Sequence, residues 1–114
     1  MSIVYRRDLE GVDWAEMKAI LQTDGFDNGR SPAQLQASFA NSVLTCIAYK
    51  GGRIVGTARL LSDGVCNAYV VDVWTYSPLR RQGIGRTMME TLLAELPGQH
   101  AYLFTEKDTA GFYR

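Results

Sequence analysis

Net charge is the first property that this sequence lacks. Its twelve basic and twelve acidic side chains cancel, so it has no broad positive field for binding nucleic acid or an anionic membrane, and we expect neither as a partner. It also lacks the run of roughly 18 apolar residues that a membrane span needs. Its N-terminus, MSIVYRRDLEG, lacks the apolar segment of a signal peptide. We therefore predict a cytoplasmic protein in which any anion binding is local.

Cysteine and histidine are scarce, with two copies and one copy in 114 residues. Cys46 and Cys66 both lie in strand-like apolar segments, so we expect small buried thiols in a reducing compartment. Their spacing does not require a disulfide, although it leaves one open. We expect no metal site.

The length and composition are those of one globular domain. The chain is 46% hydrophobic and 21% charged, and it contains no repeat, low-complexity tract or linker. A chain of 114 residues is long enough for one core and leaves no room for a second. We therefore predict a single domain over residues 1–114.

Hydrophobic periodicity predicts a mixed α/β domain with the order β-α-α-β-β-β-α-β-α. Strands are expected near 3–5, 43–49, 53–61, 68–75 and 101–105, and helices after Asp13, after Ser31, over 83–96 and from Thr109. Ser31, followed by proline and by glutamine at the third position, is a typical helix start. The strand at 68–75 is apolar on both sides apart from Asp72, which predicts a central strand covered on both faces.

A glycine-rich segment, Arg80-Arg81-Gln82-Gly83-Ile84-Gly85-Arg86, joins that strand to the next helix. The first amides of a helix have no partner within it and carry partial positive charge, so a helix start binds phosphate readily. Gly83 and Gly85 lack a Cβ and let amides approach an anion, although two glycines alone are equally compatible with packing. The three arginines favour the anion site. The segment lacks the sequence of a nucleoside triphosphate or dinucleotide loop.

The spacing Arg80-x-x-Gly83-x-Gly85 resembles the Q/R-x-x-G-x-G/A signature of the GNAT superfamily of acetyl-CoA-dependent N-acetyltransferases. The resemblance in element order covers nearly the whole chain. That family normally continues through a glycine-phenylalanine pair into two more strands, whereas this sequence stops at Arg114. The expected fold is therefore a GNAT-like mixed sheet without the last two strands. Part of the acceptor wall is then absent, supplied by another copy in a homodimer, or missing from this sequence.

The resemblance implies that acetyl-CoA is the cosubstrate and that main-chain groups hold it. The acetyl and pantetheine contacts fall at the end of the fourth strand, where the family has a bulge, and the pyrophosphate contacts fall on the glycine-rich segment. The implied binding residues are Val73, Trp74, Thr75, Arg80, Arg81, Gln82, Gly83, Ile84, Gly85 and Arg86.

The implied chemistry is direct attack of an amine on the thioester. A backbone N–H near Thr75 is the expected oxyanion donor. Phe112-Tyr113 resembles the family's F/L-Y pair, and a phenol of pKa about 10 makes Tyr113 the candidate acid for the departing thiolate; a core tyrosine is the alternative. Asp72 is the candidate base because burial would raise its pKa. It is equally well interpreted as a structural partner for an arginine such as Arg59.

The acceptor is expected to be a primary amine of a small molecule or peptide. Four residues lie in segments that border the acceptor cleft of this fold, namely Arg30, Arg59, Ser62 and Asp63, and Arg59 could hold a carboxylate. A solvated hairpin end is the alternative for each of them. An alternative for the whole chain is a non-catalytic acyl-CoA-binding module or an inactive truncated acetyltransferase. A partner-binding domain whose glycines only shape a turn is a third hypothesis.

Overall fold

A five-stranded sheet forms the frame of the molecule, and a computed structural model describes it over residues 2–96 and the backbone of residues 100–103. Strands β1 to β4 are antiparallel neighbours in chain order, and β5 lies parallel to β4. The strands are β1 (Ile3–Arg6), β2 (Leu44–Lys50), β3 (Arg53–Ser62), β4 (Asn67–Thr75) and β5 (His100–Leu103). The helices are α1 (Trp14–Thr23), α2 (Pro32–Ala40) and α3 (Ile84–Leu93).

This order confirms the predicted fold as far as β5. The helix expected from Thr109, which would contain Phe112 and Tyr113, lies outside the described residues. Ser31 caps α2 through a full capping box with Gln34, as its sequence predicts. The third helix is shorter than expected, since Gly83 is its cap and Leu93 is its last residue. Among the described residues, no helix has the length and apolarity to cross a membrane.

The core has two parts, one on each face of the sheet. Helices α1 and α2 pack on one face through Met17, Leu21, Leu35, Phe39, Ile47, Ile54 and Trp74. Helix α3 packs on the other through Ile84, Met88 and Leu92, against strand residues that include Val70 and Val73. Because β4 contributes to both parts, it is covered on both faces, as predicted.

The two cysteines have different environments, and both are free. Cys46 is buried on β2, and burial raises the pKa of its thiol to about 11. Cys66 is exposed, so the expectation of a buried thiol is wrong at this position. The reason is that the Asp63 carboxylate accepts hydrogen bonds from the amides of Val65, Cys66 and Asn67. These bonds hold residues 63–66 as a turn, and β4 starts only at Asn67.

Candidate functional site

Strand β4 contains a β-bulge at Asp72 and Val73. Trp74 lies opposite Thr57, but Val71 lies opposite Arg59, so two residues of β4 face Ala58 alone. Asp72 has a φ of 52°, the left-handed conformation that side chains other than glycine rarely adopt. The Thr57 hydroxyl donates to the Asp72 carbonyl at 3.0 Å. A side chain of β3 therefore binds a main-chain group at the irregularity.

The Asp72 side chain lies between two arginines. Arg30 binds both carboxylate oxygens, with N–O distances of 2.8 and 3.2 Å. Arg59 donates its Nε to the same carboxylate at 2.6 Å. Its Nη1 also donates to the Ser38 carbonyl in α2 and to the hydroxyl of Ser42, which follows α2. The three side chains are only 11–16% exposed. We call this group the Asp72 cluster.

The Asp72 cluster corrects one expectation and decides between two. Burial alone raises the pKa of the Asp72 carboxyl, but the hydrogen bonds and charges of Arg30 and Arg59 outweigh it and lower the pKa below its usual value. The expected raised pKa is therefore wrong. The ion pair with Arg59, which was the alternative, is present. Arg30 and Arg59, both predicted as acceptor residues, contact a carboxylate of the protein itself.

Thr75, the last residue of β4, directs its main chain away from β3. The Tyr76 amide donates to the Val55 carbonyl at 2.9 Å, so in antiparallel pairing Thr75 and its partner Gly56 form the pair without mutual hydrogen bonds. The N–H and C=O of Thr75 consequently point toward the side of β4 where β5 lies. The Arg80 guanidinium donates its Nε to that carbonyl at 3.0 Å.

The Thr75 hydroxyl is buried without a partner. The residue is 4% exposed, and its Oγ1 is the one buried polar side-chain atom among the described residues that makes no hydrogen bond. An unpaired buried hydroxyl costs about 1–3 kcal/mol. Such atoms are uncommon in folded proteins and call for a specific explanation.

The glycine-rich segment leaves β4 through a short 3₁₀ turn at Ser77–Leu79 and ends at the start of α3. Arg81 and Gly83 have φ values of 67° and 84°. Gly83 caps α3 without a side chain, and the first helical bond joins the Thr87 amide to the Gly83 carbonyl at 3.0 Å. The amides of residues 84–86 thus have no partner within the helix. Ile84 and Gly85 are buried, whereas Arg81, Gln82, Gly83 and Arg86 are exposed.

Ser62 and Asp63 do not join the Asp72 cluster. Ser62 is the last residue of β3, and Asp63 lies in the turn that precedes β4. The Asp63 carboxylate accepts from the amides of Val65, Cys66 and Asn67, and the Ser62 hydroxyl accepts from the Gly64 amide at 2.9 Å. The hydrogen bonds from the Val65, Cys66 and Asn67 amides lower the pKa of the Asp63 carboxyl. The role of Ser62 and Asp63 in binding the acceptor remains a prediction.

A groove elsewhere on the surface does not resemble a reaction site. It has a volume of about 500 Å³ and is lined by Tyr5, Arg6, Arg7, Asp8, Leu44 and Glu95. Its charged side chains pair with each other, as Arg6 with Asp8 and Arg7 with Glu95. It lies beside the edge strand β1, which β2 and β3 separate from β4.

Comparison with known proteins identifies the family. The family model described as Acetyltransferase (GNAT) family matches residues 12–114. The chain belongs to this family. Serotonin N-acetyltransferase 2, chloroplastic, from Oryza sativa subsp. japonica is 32% identical to it over 116 residues, which cover 96% of this chain and 58% of the relative. The chain thus spans less than two thirds of that relative's length.

Solved acetyltransferase structures agree with the fold. A GNAT family acetyltransferase from Streptococcus pneumoniae is 27% identical, with a TM-score of 0.78 and coverage of 99% of this chain and 84% of the other. A predicted acetyltransferase from Clostridium acetobutylicum, solved with acetyl-CoA, has a TM-score of 0.68 over 98% of this chain and 86% of the other. At 20% identity, that second similarity supports the fold alone.

Two residues of this GNAT chain that shape the site were not predicted from the sequence. Asp24 accepts hydrogen bonds from the Trp74 indole and the Ser77 amide, and Thr57 binds the bulge. Asp24 carried one usable signal, because a carboxylate at the C-terminus of a helix opposes the helix dipole. Thr57 carried none, since threonine is ordinary in a strand.

Proposed function

We propose that this GNAT chain transfers an acetyl group from acetyl-CoA to a primary amine of a small molecule or peptide. The observation that carries the proposal is the start of α3. Gly83 leaves the amides of residues 84–86 without helical partners, directly after a bulged central strand. In a chain of the GNAT family, an anion site at this position suits the pyrophosphate of a CoA thioester.

The described residues fit such a ligand in two respects. The exposed Arg81 and Arg86 flank the α3 amides and can add charge-assisted hydrogen bonds to phosphate oxygens. The buried Thr75 hydroxyl lacks a partner, and the main chain of the same residue points away from β3. We propose that a pantetheine chain pairs with the main chain of Val73 and Thr75.

The Thr75 amide is the proposed donor to the thioester oxygen. A fixed amide that points at developing negative charge can lower a barrier by about 3 kcal/mol. The lowered pKa of Asp72 makes its carboxylate a weak base. We therefore propose that the Asp72 cluster contributes by holding the bulge and not by accepting a proton. Tyr113 remains the proposed acid for the leaving thiolate, and it lies outside the described residues.

The test combines ligand binding with turnover. At about 100 times its dissociation constant, acetyl-CoA should stabilise the chain by about 2.7 kcal/mol and raise its melting temperature. S-acetylpantetheine, which lacks the pyrophosphate, is the matched control and should give a much smaller shift. The absence of a shift at millimolar acetyl-CoA would contradict the proposal.

Turnover separates an enzyme from a binding module. Release of the CoA thiol from acetyl-CoA should accelerate in the presence of at least one member of a panel of small and peptide amines. If acetyl-CoA binds but no amine accelerates release, the chain is an acyl-CoA-binding module, which is the alternative function.

A further inference from the structure

Asp24 is a carboxylate in a position that its own helix disfavours. It follows the last residue of α1, where the helix dipole is negative. Its side chain is only 10% exposed, so it also loses most of its hydration. Helix α1 compensates neither cost, because the hydrogen bonds of Asp24 to α1 come from its main-chain N–H and not from its carboxylate.

The compensation comes from residues about fifty positions away. Asp24 Oδ2 accepts the Trp74 indole N–H at 2.9 Å and the Ser77 amide at 3.1 Å. The Arg80 guanidinium lies 3.8 Å from the same oxygen. One carboxylate oxygen therefore contacts the end of β4, the 3₁₀ turn and the first residue of the glycine-rich segment.

These contacts fix one end of the segment that precedes α3. Trp74 is buried against α1 and α2, and Arg80 also donates to the Thr75 carbonyl. The other end is fixed independently, since Ile84 and Gly85, the first two residues of α3, are buried. Residues 81–83 therefore connect two fixed residues, Arg80 and Ile84. The left-handed conformations of Arg81 and Gly83 depend on the distance between those fixed residues.

We infer that Asp24 is a positioning residue for acetyl-CoA, acting as a hydrogen-bond anchor that holds the glycine-rich segment in its binding conformation. The inference rests on the proposed function. The anchor depends on oxygen acceptors for Trp74 and Ser77 and not on the negative charge as such. An asparagine at this position should serve almost as well, because its amide oxygen can accept both N–H groups.

The test compares Asp24→Ala with Asp24→Asn. Asp24→Ala should raise the Kd for acetyl-CoA, measured by titration calorimetry, about tenfold, because it removes the acceptor of both the Trp74 and the Ser77 hydrogen bonds. Asp24→Asn should stay within about threefold. The matched control is Asp8→Ala, which removes an exposed carboxylate beside β1 and should leave the Kd unchanged.

A ligand-free signal tests the anchor separately. In ¹⁵N spectra, the Trp74 indole and Ser77 amide protons should exchange with solvent slowly in the wild type and in Asp24→Asn, and faster in Asp24→Ala. If the wild-type chain fails to bind acetyl-CoA, the proposed function fails, and these exchange rates still report on the anchor.

Two results would overturn the inference. One is a folded Asp24→Ala chain with the wild-type Kd, which would make the contacts purely structural. The other is an Asp24→Asn chain as weak as Asp24→Ala, which would make the charge responsible. Should Asp24→Ala not fold, Trp74→Phe removes one donor, keeps a buried ring, and should also raise the Kd; an unchanged value there contradicts the anchor.

Discussion

Asp72 combines an unfavourable backbone conformation with three favourable contacts. A left-handed φ costs a residue with a Cβ about 1–2 kcal/mol, and Asp72 adopts one at 52°. Its carboxylate binds Arg30 and Arg59, and its carbonyl accepts the Thr57 hydroxyl. These contacts come from β3 and from the loop before α2, so the bulge is held from outside its own strand.

Replacing Asp72 by asparagine should destabilise the chain by about 3 kcal/mol at pH 7, because it leaves two largely buried guanidinium groups without a counter-charge. Urea denaturation of the two chains measures the difference. The matched control is Asp8→Asn, which removes an exposed carboxylate and should leave the free energy of unfolding nearly unchanged.

The pH dependence of that difference has a definite sign. The folded pKa of Asp72 lies below its ordinary value of 3.8, so its contribution is complete above that pH and is lost as the pH falls through the folded pKa. The gap between wild type and Asp72→Asn should be equal at pH 7 and pH 5 and narrower at pH 3. A gap that shrinks between pH 7 and pH 5 would mean that the pKa is raised.

Gly83 allows the effect of charge at the helix start to be isolated. A Cβ there meets no atom within 4 Å, but φ is 84°, so alanine and glutamate share the same backbone strain. Gly83→Ala should keep measurable acetyl-CoA affinity, whereas Gly83→Glu should abolish it by placing a carboxylate at the proposed anion site. Calorimetric titration of both chains is the measurement, and equal affinities would show that the segment is misassigned.

Gly56 of β3 leaves the space into which Met88 of α3 packs. A Cβ on Gly56 would lie 3.0 Å from Met88 Cε and 3.2 Å from Ala48 Cβ. Thr75, opposite Gly56 in the sheet, also lies on the α3 face, since it follows Trp74 by one residue. The distance between α3 and the end of β4 is therefore set at this position.

Gly56→Ala should destabilise the chain by about 1–2 kcal/mol through overpacking. Met88→Ala should also destabilise it through a cavity. The double variant should lose less than the sum of the two, because the new methyl group fills part of the space that Met88 leaves. Chemical denaturation of the four chains forms the cycle, and additive losses would contradict the predicted contact.

The groups of the proposed acetyl-CoA site lie along one strand of the sheet and the segment that follows it. The bulge, the Thr75 main chain and the glycine-rich segment follow one another from Asp72 to Arg86. The loop after α1 contacts the first part of this stretch, where Arg30 binds Asp72 and Asp24 binds Trp74 and Ser77. Because the net charge is zero, long-range attraction should contribute little, and the proposed recognition of acetyl-CoA would depend on these local groups.

Acetyl-CoA should therefore perturb a contiguous part of the chain. In ¹⁵N spectra, amide shifts on titration should concentrate between residues 73 and 86 and leave β1, at Ile3–Arg6, unchanged. Titration with S-acetylpantetheine should perturb residues 73–75 more than residues 83–86. Shifts concentrated around β1 would place the ligand in the groove at that edge instead.

Local patterns in the sequence determined the helices and strands, and they predicted the anion site at the start of α3. Ser31-Pro32 with Gln34 starts α2 by satisfying nearby amides, and Gly83 with Gly85 marks the start of α3. These features depend on residues within one helical turn, so spacing alone identifies them. The apolar run around Asp72 likewise predicted a strand buried on both faces, because its neighbours on both sides are hydrophobic.

Only the tertiary structure decided the direction of the Asp72 pKa shift and the contacts of Asp24. The sequence left Asp72 between a base with a raised pKa and a partner of Arg59, because burial and an opposite charge shift a carboxyl pKa in opposite directions. Arg30 and Arg59 lie 42 and 13 residues from Asp72, and Asp24 lies 50 residues from Trp74. The contacts of Arg30 and Asp24 depend on how the loop after α1 packs against β4, and no local pattern encodes that packing.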